Sequence, residues 1–215
     1  MNSVTPVELS RHSRDSDSTR RNIIEVATRH FSAKSFSGAR IDEIAAETET
    51  SKRMIYYYFG DKEGLYLAVL EDAYSRIRGI EATLTLDHLE PETAFTELVG
   101  FTFDYQTDHP DFIRLVMNEN ILNGVHIAKS KIISDLNVSG IAAMERIYAR
   151  GRASGLFRAG LDIIDVHMTI SALCFFNVAN RATFSHIFNR DMTSPTAKAA
   201  RRAVVVDTVL RYLRA

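Results

Sequence analysis

Two short stretches with helical apolar spacing flank a polar break in the segment IDEIAAETETSKRMIYYYFGDK, which begins at Ile41. The first stretch keeps Ile41, Ile44 and Ala45 on one face. In the second stretch, Ile55 and Phe59 lie one turn apart and should therefore both face a core. A helix, a tight turn and a second helix of this size form a helix-turn-helix, and the spacing predicts that motif here.

Residues suited to helix ends mark the borders of these two helices. Thr50 or Ser51 can cap the second helix, because Ser and Thr hydroxyls accept hydrogen bonds from the unpaired N–H groups of a first turn. Gly60 should end that helix and Asp61 should cap the next one. Lys62 then falls in a first turn, where backbone N–H groups already favour a phosphate.

The side chains left outside the core at the start of the second helix point to nucleic-acid binding. Three successive tyrosines cannot all be buried on one helix, and exposed tyrosines can bond phosphates and base edges. The predicted base contacts are Lys52, Arg53, Met54 and Tyr57. The predicted phosphate contacts are Arg40, Ser51, Tyr56, Tyr58 and Lys62. A solvated helix surface with no DNA-binding role is the alternative.

Residues from about Thr19 to Leu70 resemble the N-terminal domain of the TetR family of transcriptional repressors, in its AcrR-like form. The matching positions are Ile24, Ala27, Phe31, Phe36, Ile41, Ile44, Ala45, Ser51, Ile55, Tyr56, Tyr58, Phe59, Lys62, Glu63 and Leu65. The run IYYYFGDKEGLYLAVL is close to the most specific signature of that family. Arg53 and Met54 depart from the small residues often found there, which should affect which operator is bound more than whether DNA is bound.

The remaining chain reads as helical throughout, so the predicted fold class is all-α with about nine helices. No strand pattern or repeat competes with this interpretation, and the four prolines fall in the N-terminal arm or at helix starts. Helix 1 should begin near Ser18 or Thr19. Later helices are predicted over residues 62–86, 91–107, a stretch after Pro110, 124–154, 163–189 and from Pro195 onward.

Three segments of the chain are expected to have different roles. Residues 1–17 are polar and lack periodicity, which predicts a flexible N-terminal arm. Residues 18–64 should form a three-helix DNA-binding domain that contains the helix-turn-helix. Residues 65–215 should form a helical domain for ligand binding and dimerisation.

The last two predicted helices have a surplus of apolar residues, and the first of them is apolar on more than one face. Such a surplus requires full burial or a protein partner. The resemblance implies that these helices pair with their copies across a two-fold axis to form a homodimer. The expected interface residues are Phe175, Phe184, Phe188, Val205 and Val209. A two-fold protein implies a pseudo-palindromic operator in double-stranded DNA.

The resemblance also implies a pocket for a small organic effector among the middle helices, whose occupation usually releases the repressor from DNA. The candidate lining residues are Tyr105, Met117, Asn118, Asn120, His126, Phe176 and Asn177. Core packing is the alternative role for the aromatic residues. The asparagines are stronger candidates, because an amide within an apolar stretch must satisfy its hydrogen bonds somewhere.

Several classes of protein are disfavoured by what the sequence lacks. No HExxH, GxSxG, phosphate-loop or CxxC motif is present, so we expect neither an enzyme nor a cofactor or metal. The sequence contains no run of about 18 apolar residues, so we expect no membrane span. The single cysteine, Cys174, rules out an internal disulfide and is consistent with a cytoplasmic protein.

Overall charge does not identify the function. The formal net charge is −1, from 26 Lys and Arg against 27 Asp and Glu, so a DNA-binding face must come from local placement of cations. A helical dimeric interaction module that does not bind DNA stays an alternative, as does a regulator that responds to a metal or to oxidation at Cys174. The sequence does not name the effector, the operator or the number of dimers on each site, and it does not separate a repressor from an activator.

Overall fold

The computed structural model describes the backbone of residues 6–215 and the side chains from Ser16 onward. This part of the chain folds into ten α-helices joined by short loops, with no β-strand, so the all-α prediction is confirmed. The helices are α1 Pro6–Gly38, α2 Ile41–Glu47, α3 Lys52–Phe59, α4 Lys62–Glu81, α5 Pro91–Asp108, α6 Pro110–Ile121, α7 Lys131–Ala153, α8 Ile163–Ala179, α9 Arg181–Ile187 and α10 Pro195–Leu213. Two 3₁₀ turns cover Leu86–His88 and Ile127–Lys129.

The first helix begins at Pro6, well before the predicted start at Ser18 or Thr19. Proline is tolerated in a first helical turn, and neither glycine nor a second proline follows before Gly38, so the polar composition does not stop the helix. The predicted arm of residues 1–17 is therefore helical from Pro6, while residues 1–5 lie outside the described residues. The helix is kinked at Ser35, where φ is 60°.

Two helix boundaries in the second half of the chain were predicted wrongly. α7 begins at Lys131 instead of Gly124, because Asn123 and Gly124 adopt positive φ values of 58° and 71° that interrupt a helix. The helix expected to run to residue 189 stops at Ala179, and α9 continues at an angle of 64°. Neither Gly nor Pro marks this second break, so apolar periodicity alone could not reveal it.

The chain divides into two compact units. The first comprises residues 1–73 and 118–130, and the second comprises residues 74–117 and 131–215. The sequence-based division placed the border at residue 64 and assigned everything after it to one domain. The difference arises because residues 118–130 fold against the first unit, through a buried Glu119 and an aromatic cluster described below.

Each unit has its own core. In the first unit, Phe31 and Tyr66 pack edge to face with ring centroids 4.9 Å apart, and both side chains are fully buried. In the second unit, α5 lies between α7, α8 and α10. Its Phe95 contacts Phe157 edge to face at 5.5 Å. Within the described residues, no single helix is long and apolar enough to cross a membrane. α8 and α9 have that length and composition only when they are taken as one segment, which is bent by 64°.

Candidate DNA-binding surface and effector cavity

The helix-turn-helix forms as the spacing predicted. Ile55 and Phe59 are buried, and they anchor α3 against α1 and α2. Ser51 is the N-cap of α3, because its Oγ accepts a hydrogen bond of 3.2 Å from the backbone N–H of Met54. Glu49 in the preceding turn adopts a φ of 52°, which tightens the connection from α2.

The expected base-contacting side chains lie on the outer face of α3. Lys52, Arg53 and Tyr57 are exposed, and Tyr57 keeps 77% of its surface in solvent. Met54 is half-buried. Lys52 forms an ion pair with Asp42 of α2, across an exposed surface. An exposed pair of this kind contributes little to stability, so a DNA contact can replace it at small cost.

The expected phosphate-contacting side chains differ in their exposure to solvent. Arg40, Ser51 and Tyr56 are exposed at the ends of α2 and α3 and on the outer face of α3. Tyr58 is half-buried, with its hydroxyl 3.1 Å from Ser16 Oγ.

Lys62 is held more tightly than the sequence suggested. Its Nζ donates to the carbonyl of Ser37 at 3.4 Å and lies 5.0 Å above the ring of Phe36. Partial burial lowers the pKa of the Lys62 ammonium. The side chain of Lys62 therefore ties the end of α1 to the start of α4.

The junction between α3 and α4 explains the sequence FGDKEG. Gly60 takes a φ of 80°, which other residues adopt at a cost. Asp61 Oδ1 accepts a hydrogen bond of 2.8 Å from the N–H of Gly64, so Asp61 caps α4 as predicted. A Cβ at Gly64 would overlap the carbonyl oxygen of Phe59, so only glycine lets α4 approach α3 this closely.

An ion-pair network that the sequence analysis did not identify ties α2 to α1. Glu47 accepts from Arg29 at 2.6 Å and contacts His30 Nε2 at 2.8 Å. Lys34 pairs with Glu43. These partners lower the pKa of both carboxyls, chiefly through the hydrogen bonds from Lys34 and Arg29. The network holds α2 against α1, and α3 in turn packs against α2.

The first unit contains a buried carboxylate, that of Glu119. Glu119 is 1% exposed, and its Oε1 accepts from the backbone N–H groups of His126 at 2.7 Å and Ile127 at 3.0 Å. Its Oε2 lies 3.0 Å from His126 Nδ1. Burial alone would raise the pKa of Glu119, but these hydrogen bonds outweigh it and the pKa is lowered.

Aromatic rings enclose this buried pair. The His126 ring lies 4.7 Å from Phe36 and 4.9 Å from Tyr66. Burial and the negative charge of Glu119 raise the pKa of the Tyr66 hydroxyl. One signal in the sequence could have revealed the arrangement: Glu119 stands one helical turn after Leu115, on what periodicity marks as the buried face.

The residues expected to bind an effector are divided between the two units. Asn118, Asn120 and His126 belong to the first unit, whereas the other four belong to the second. Asn118 donates to the carbonyl of Phe31 at 3.1 Å, and His126 pairs with Glu119, so both side chains have partners within the first unit. The pocket of seven residues stays a prediction.

The four expected effector residues of the second unit are also dispersed. Tyr105 is buried and stacks on His109 with centroids 4.1 Å apart, so its ring serves packing. Met117, near the end of α6, is half-buried. Phe176 and Asn177 border an open cavity of about 600 Å³ between α8, α9 and α10.

A different cavity in the second unit has mixed polar and apolar walls. It has a volume of about 460 Å³ and lies between the end of α4, the following loop, α5 and α7. Leu98, Met144 and Ile147 form apolar walls, and Arg78 and Glu81 of α4 form an ion pair in the wall. None of the seven predicted effector residues lines it.

The exposed apolar surface of the last helices differs from the expected interface. Val205 and Val209 are fully buried in the core of their own chain, so they cannot contact a second copy and this part of the prediction is wrong. α10 carries three successive valines, Val204 to Val206, and the sequence did not show which of them turns inward. Val204, one position away, is 51% exposed instead.

The other expected interface residues leave apolar surface outside the core. Phe184 and Phe188 are 36% and 62% exposed, and their rings are 5.0 Å apart. Phe175 is half-buried. The exposed apolar side chains of α8 to α10 together are Ile164, Met168, Phe176, Phe184, Ile187, Phe188 and Val204.

Two properties bear on the alternatives of metal and redox sensing. Cys174 is buried, and burial raises the pKa of its thiol to about 12. A protonated, inaccessible thiol is unreactive, which argues against a redox role. Among the side chains that the structure describes, no three His, Cys, Asp or Glu residues lie close enough to hold a metal ion.

Comparisons with known proteins agree with this geometry. Residues 23–69 match the family model described as bacterial regulatory proteins of the tetR family. Residues 91–209 match the model described as the tetracyclin repressor-like C-terminal domain. The chain is 39% identical over 198 residues to the HTH-type transcriptional repressor NicS of Pseudomonas putida, covering 92% of this chain and 93% of the relative.

More distant similarities are seen both in sequence and in fold. The HTH-type transcriptional regulator RutR of Escherichia coli is 29% identical over 126 residues, which is 59% of this chain and 58% of that protein. A tetR-family regulatory protein from Rhodococcus RHA1 superposes with a TM-score of 0.72 at 20% identity, covering 91% of this chain and 97% of that chain.

The putative transcriptional regulator SCO4942 of Streptomyces coelicolor superposes with a TM-score of 0.67 at 24% identity, covering 91% of this chain and 98% of that chain. The first family model ends within α4, at residue 69, and the second begins with α5, at residue 91. The chain belongs to the TetR family of bacterial regulatory proteins and is a DNA-binding transcriptional regulator.

Proposed function

We propose that this regulator represses transcription by binding a pseudo-palindromic operator as a homodimer, and that a small organic effector releases it. The observation that carries the proposal is the exposed face of α3, where Lys52, Arg53 and Tyr57 project from a helix anchored by buried Ile55 and Phe59. Its 39% identity to a relative named as a transcriptional repressor supports the direction of control. Access to DNA requires a cytoplasmic location.

Base reading is assigned to the first turns of α3. A recognition helix contacts bases through residues near its N-terminus, which is where Lys52 and Arg53 lie. Arg53 is exposed near the start of α3, so its guanidinium is suited to bidentate contact with a guanine. Tyr57, one turn later, and half-buried Met54 add contacts to base edges.

Phosphate binding positions the helix in the groove. We assign this role to side chains at the ends of α2, α3 and α4, where hydrogen bonds to the backbone of DNA fix register without reading sequence. The proposed residues are Arg40, Ser51, Tyr56, Tyr58 and Lys62. The N–H groups at the start of α4 add a favourable environment for one phosphate beside Lys62.

Dimerisation is assigned to the apolar surface of α8, α9 and α10. Phe176, Phe184 and Phe188 contact one another along this surface, with Val204 on the neighbouring helix. Contiguous exposed apolar side chains of this kind mark protein interfaces. A two-fold dimer presents one recognition helix to each half-site, and the half-sites should lie about one helical turn of DNA apart.

The effector site is assigned to the 460 Å³ cavity at the end of α4. Its volume falls in the range of small-molecule pockets, and its walls combine apolar side chains with a few polar groups. An effector releases the operator only to the extent that it binds the DNA-free conformation more tightly than the DNA-bound one. This cavity replaces the dispersed residues that the sequence suggested.

Selection of bound duplexes from a random DNA pool tests the proposal. The purified wild-type protein should enrich an inverted repeat near physiological salt. The Lys52→Ala/Tyr57→Ala variant, which keeps the core of α3 intact, should enrich nothing although it stays folded. Enrichment of a single asymmetric site, or of the same motif by the variant, would contradict the proposed dimeric readout by α3.

A further inference from the structure

The wall of the effector cavity contains a guanidinium held in one orientation. Arg78, in the last turn of α4, donates to Asn137 Oδ1 from Nε at 3.2 Å and from Nη2 at 2.8 Å. Asn137 is itself fixed, because its Nδ2 donates to the carbonyl of Ile133 at 2.8 Å. The side chain of Arg78 is only 14% exposed. Such a cation is positioned before any ligand arrives.

α7 has a glycine, Gly140, at the point where the guanidinium of Arg78 approaches it. The Cβ of an alanine in place of Gly140 on α7 would lie 3.1 Å from Arg78 Nη1 and 3.3 Å from Cζ, closer than side chains ordinarily pack. The absence of a side chain at residue 140 therefore lets the charged plane lie flat against α7, beside the cavity. Gly140 also lines the cavity, so the guanidinium is at its surface rather than behind it.

The donors of Arg78 are only partly used. A guanidinium has five N–H donors, and Asn137 and Glu81 account for three of them. Nearby His167 adds no second cation near neutral pH, since burial and the charge of Arg78 lower its pKa. Arg78 is therefore the buried cation of this cavity, whereas Arg146 at the rim is exposed and pairs with Asp87. The planar fork of Arg78 suits a carboxylate.

Glu81 forms an ion pair with Arg78 from a position in the helix that is unfavourable for a negative charge. It is the last residue of α4, where the helix dipole disfavours a negative charge, and its side chain is only 12% exposed. Burial of an ion pair costs desolvation that the attraction barely offsets. Loop residues begin directly after Glu81, so its side chain can turn outward if another carboxylate takes its place.

We propose that the cavity binds a small organic carboxylate with an apolar body, and that the ligand carboxylate replaces Glu81 on Arg78. The apolar body would pack against Leu98, Met144 and Ile147. The inference rests on the proposed function, because this ligand is the effector. Exchange of Glu81 for the ligand changes the last turn of α4, the helix whose first turns belong to the DNA-binding unit.

Calorimetric titration of the full chain with paired probes tests the exchange. The probes are benzoate, phenylacetate, cyclohexanecarboxylate and hexanoate, each compared with its uncharged primary amide. At least one acid should bind more tightly than its amide. Glu81→Gln should strengthen that binding about tenfold, because it removes the competing carboxylate while keeping the shape of the side chain.

The double variant Arg78→Gln/Glu81→Gln separates a ligand contact from a folding defect. It removes both buried charges together, so neither is left unpaired, and it should weaken acid binding at least about tenfold relative to Glu81→Gln. The matched control is Asp111→Asn/Arg114→Gln, which removes an exposed ion pair on α6, outside the cavity lining, with side chains 44% and 58% exposed. This control should leave acid binding unchanged.

Three results would overturn the proposal: no acid binds more tightly than its amide, Glu81→Gln fails to strengthen binding, or the double variant binds acids as well as Glu81→Gln does. An amide that binds as tightly as its acid would identify a neutral carbonyl ligand instead. Operator binding by the same preparations, measured without any probe, distinguishes the two failures. Intact operator binding without acid binding rejects only the carboxylate, whereas loss of specific DNA binding rejects the proposed function.

Discussion

Replacing Glu119 by alanine should destabilise the DNA-binding unit more than any surface change in the same segment. The wild-type carboxylate is 1% exposed and bonds two backbone N–H groups and the ring of His126. In Glu119→Ala the N–H of His126 loses its acceptor in a buried site. The remaining His126 ring stays enclosed by Phe36 and Tyr66 with no carboxylate beside it.

The magnitude follows from the bonds removed. Each buried donor left without a partner costs about 1–3 kcal/mol. Glu119→Ala removes the acceptor of two backbone N–H groups, those of buried His126 and half-buried Ile127. We therefore expect Glu119→Ala to lower the free energy of unfolding by about 2–5 kcal/mol. Glu119→Gln keeps one carbonyl acceptor for the two backbone N–H groups, so it should cost about half as much.

Urea-induced unfolding followed by circular dichroism measures the difference. Glu63→Ala is the matched control, because Glu63 pairs with Lys129 of the same segment on an exposed surface. It should change the free energy of unfolding by less than about 1 kcal/mol. Equal losses for Glu119→Ala and Glu63→Ala would refute the assignment of a buried, stabilising carboxylate.

The pH dependence has a definite sign. Because the pKa of Glu119 is lower in the folded protein than in the unfolded chain, its contribution is fully present above the unfolded value of about 4.3. The contribution is lost as the pH falls through the lowered folded value. The stability difference between wild type and Glu119→Gln should therefore be constant near neutral pH and shrink in acid. A difference that grows in acid would contradict the reasoning.

Three further predictions concern DNA binding and assembly. Tyr57→Ala should weaken operator binding measured by fluorescence anisotropy while leaving the melting temperature unchanged, because Tyr57 is 77% exposed; unfolding of the variant would count against a contact role. Lys62→Ala should weaken binding to all duplexes and reduce the slope of log affinity against log salt by about 1, whereas a loss confined to one sequence would exclude a phosphate contact. Phe188→Asp should shift sedimentation toward monomer without loss of helicity, whereas Val205→Ala should keep the dimer and lower the free energy of unfolding by about 2 kcal/mol; the reverse pattern would restore Val205 to the interface.

The sequence predicted the helix-turn-helix well because its determinants are local. Ile55 and Phe59 lie one turn apart, and Ser51, Gly60 and Asp61 act within a few residues of their own positions. Spacing and capping rules describe such short-range arrangements directly. Asp162 and Ser194 cap α8 and α10 through the same short-range hydrogen bonds.

The errors came from interactions between residues distant in sequence. Nothing local shows that Asn118 donates to Phe31, so the sequence did not indicate that residues 118–130 pack within the first unit. On α10, Val204 and Val205 are equally apolar, and only the packing of α5 against that helix decides which is buried. The sequence did not identify Arg78 as a candidate ligand-binding residue, because its partner Asn137 lies on a different helix. Tertiary pairing of this kind leaves no periodic pattern.

The most direct test of the account measures how Arg53→Ala changes the preference of the regulator for each base pair of its selected operator. Binding of both proteins to every single-base-pair variant would be compared. We expect the variant to lose about 1–3 kcal/mol of binding free energy and to lose discrimination at one position in each half-site, symmetrically. A uniform loss across all positions, or relaxed discrimination in one half-site alone, would contradict a two-fold dimer that reads DNA through α3.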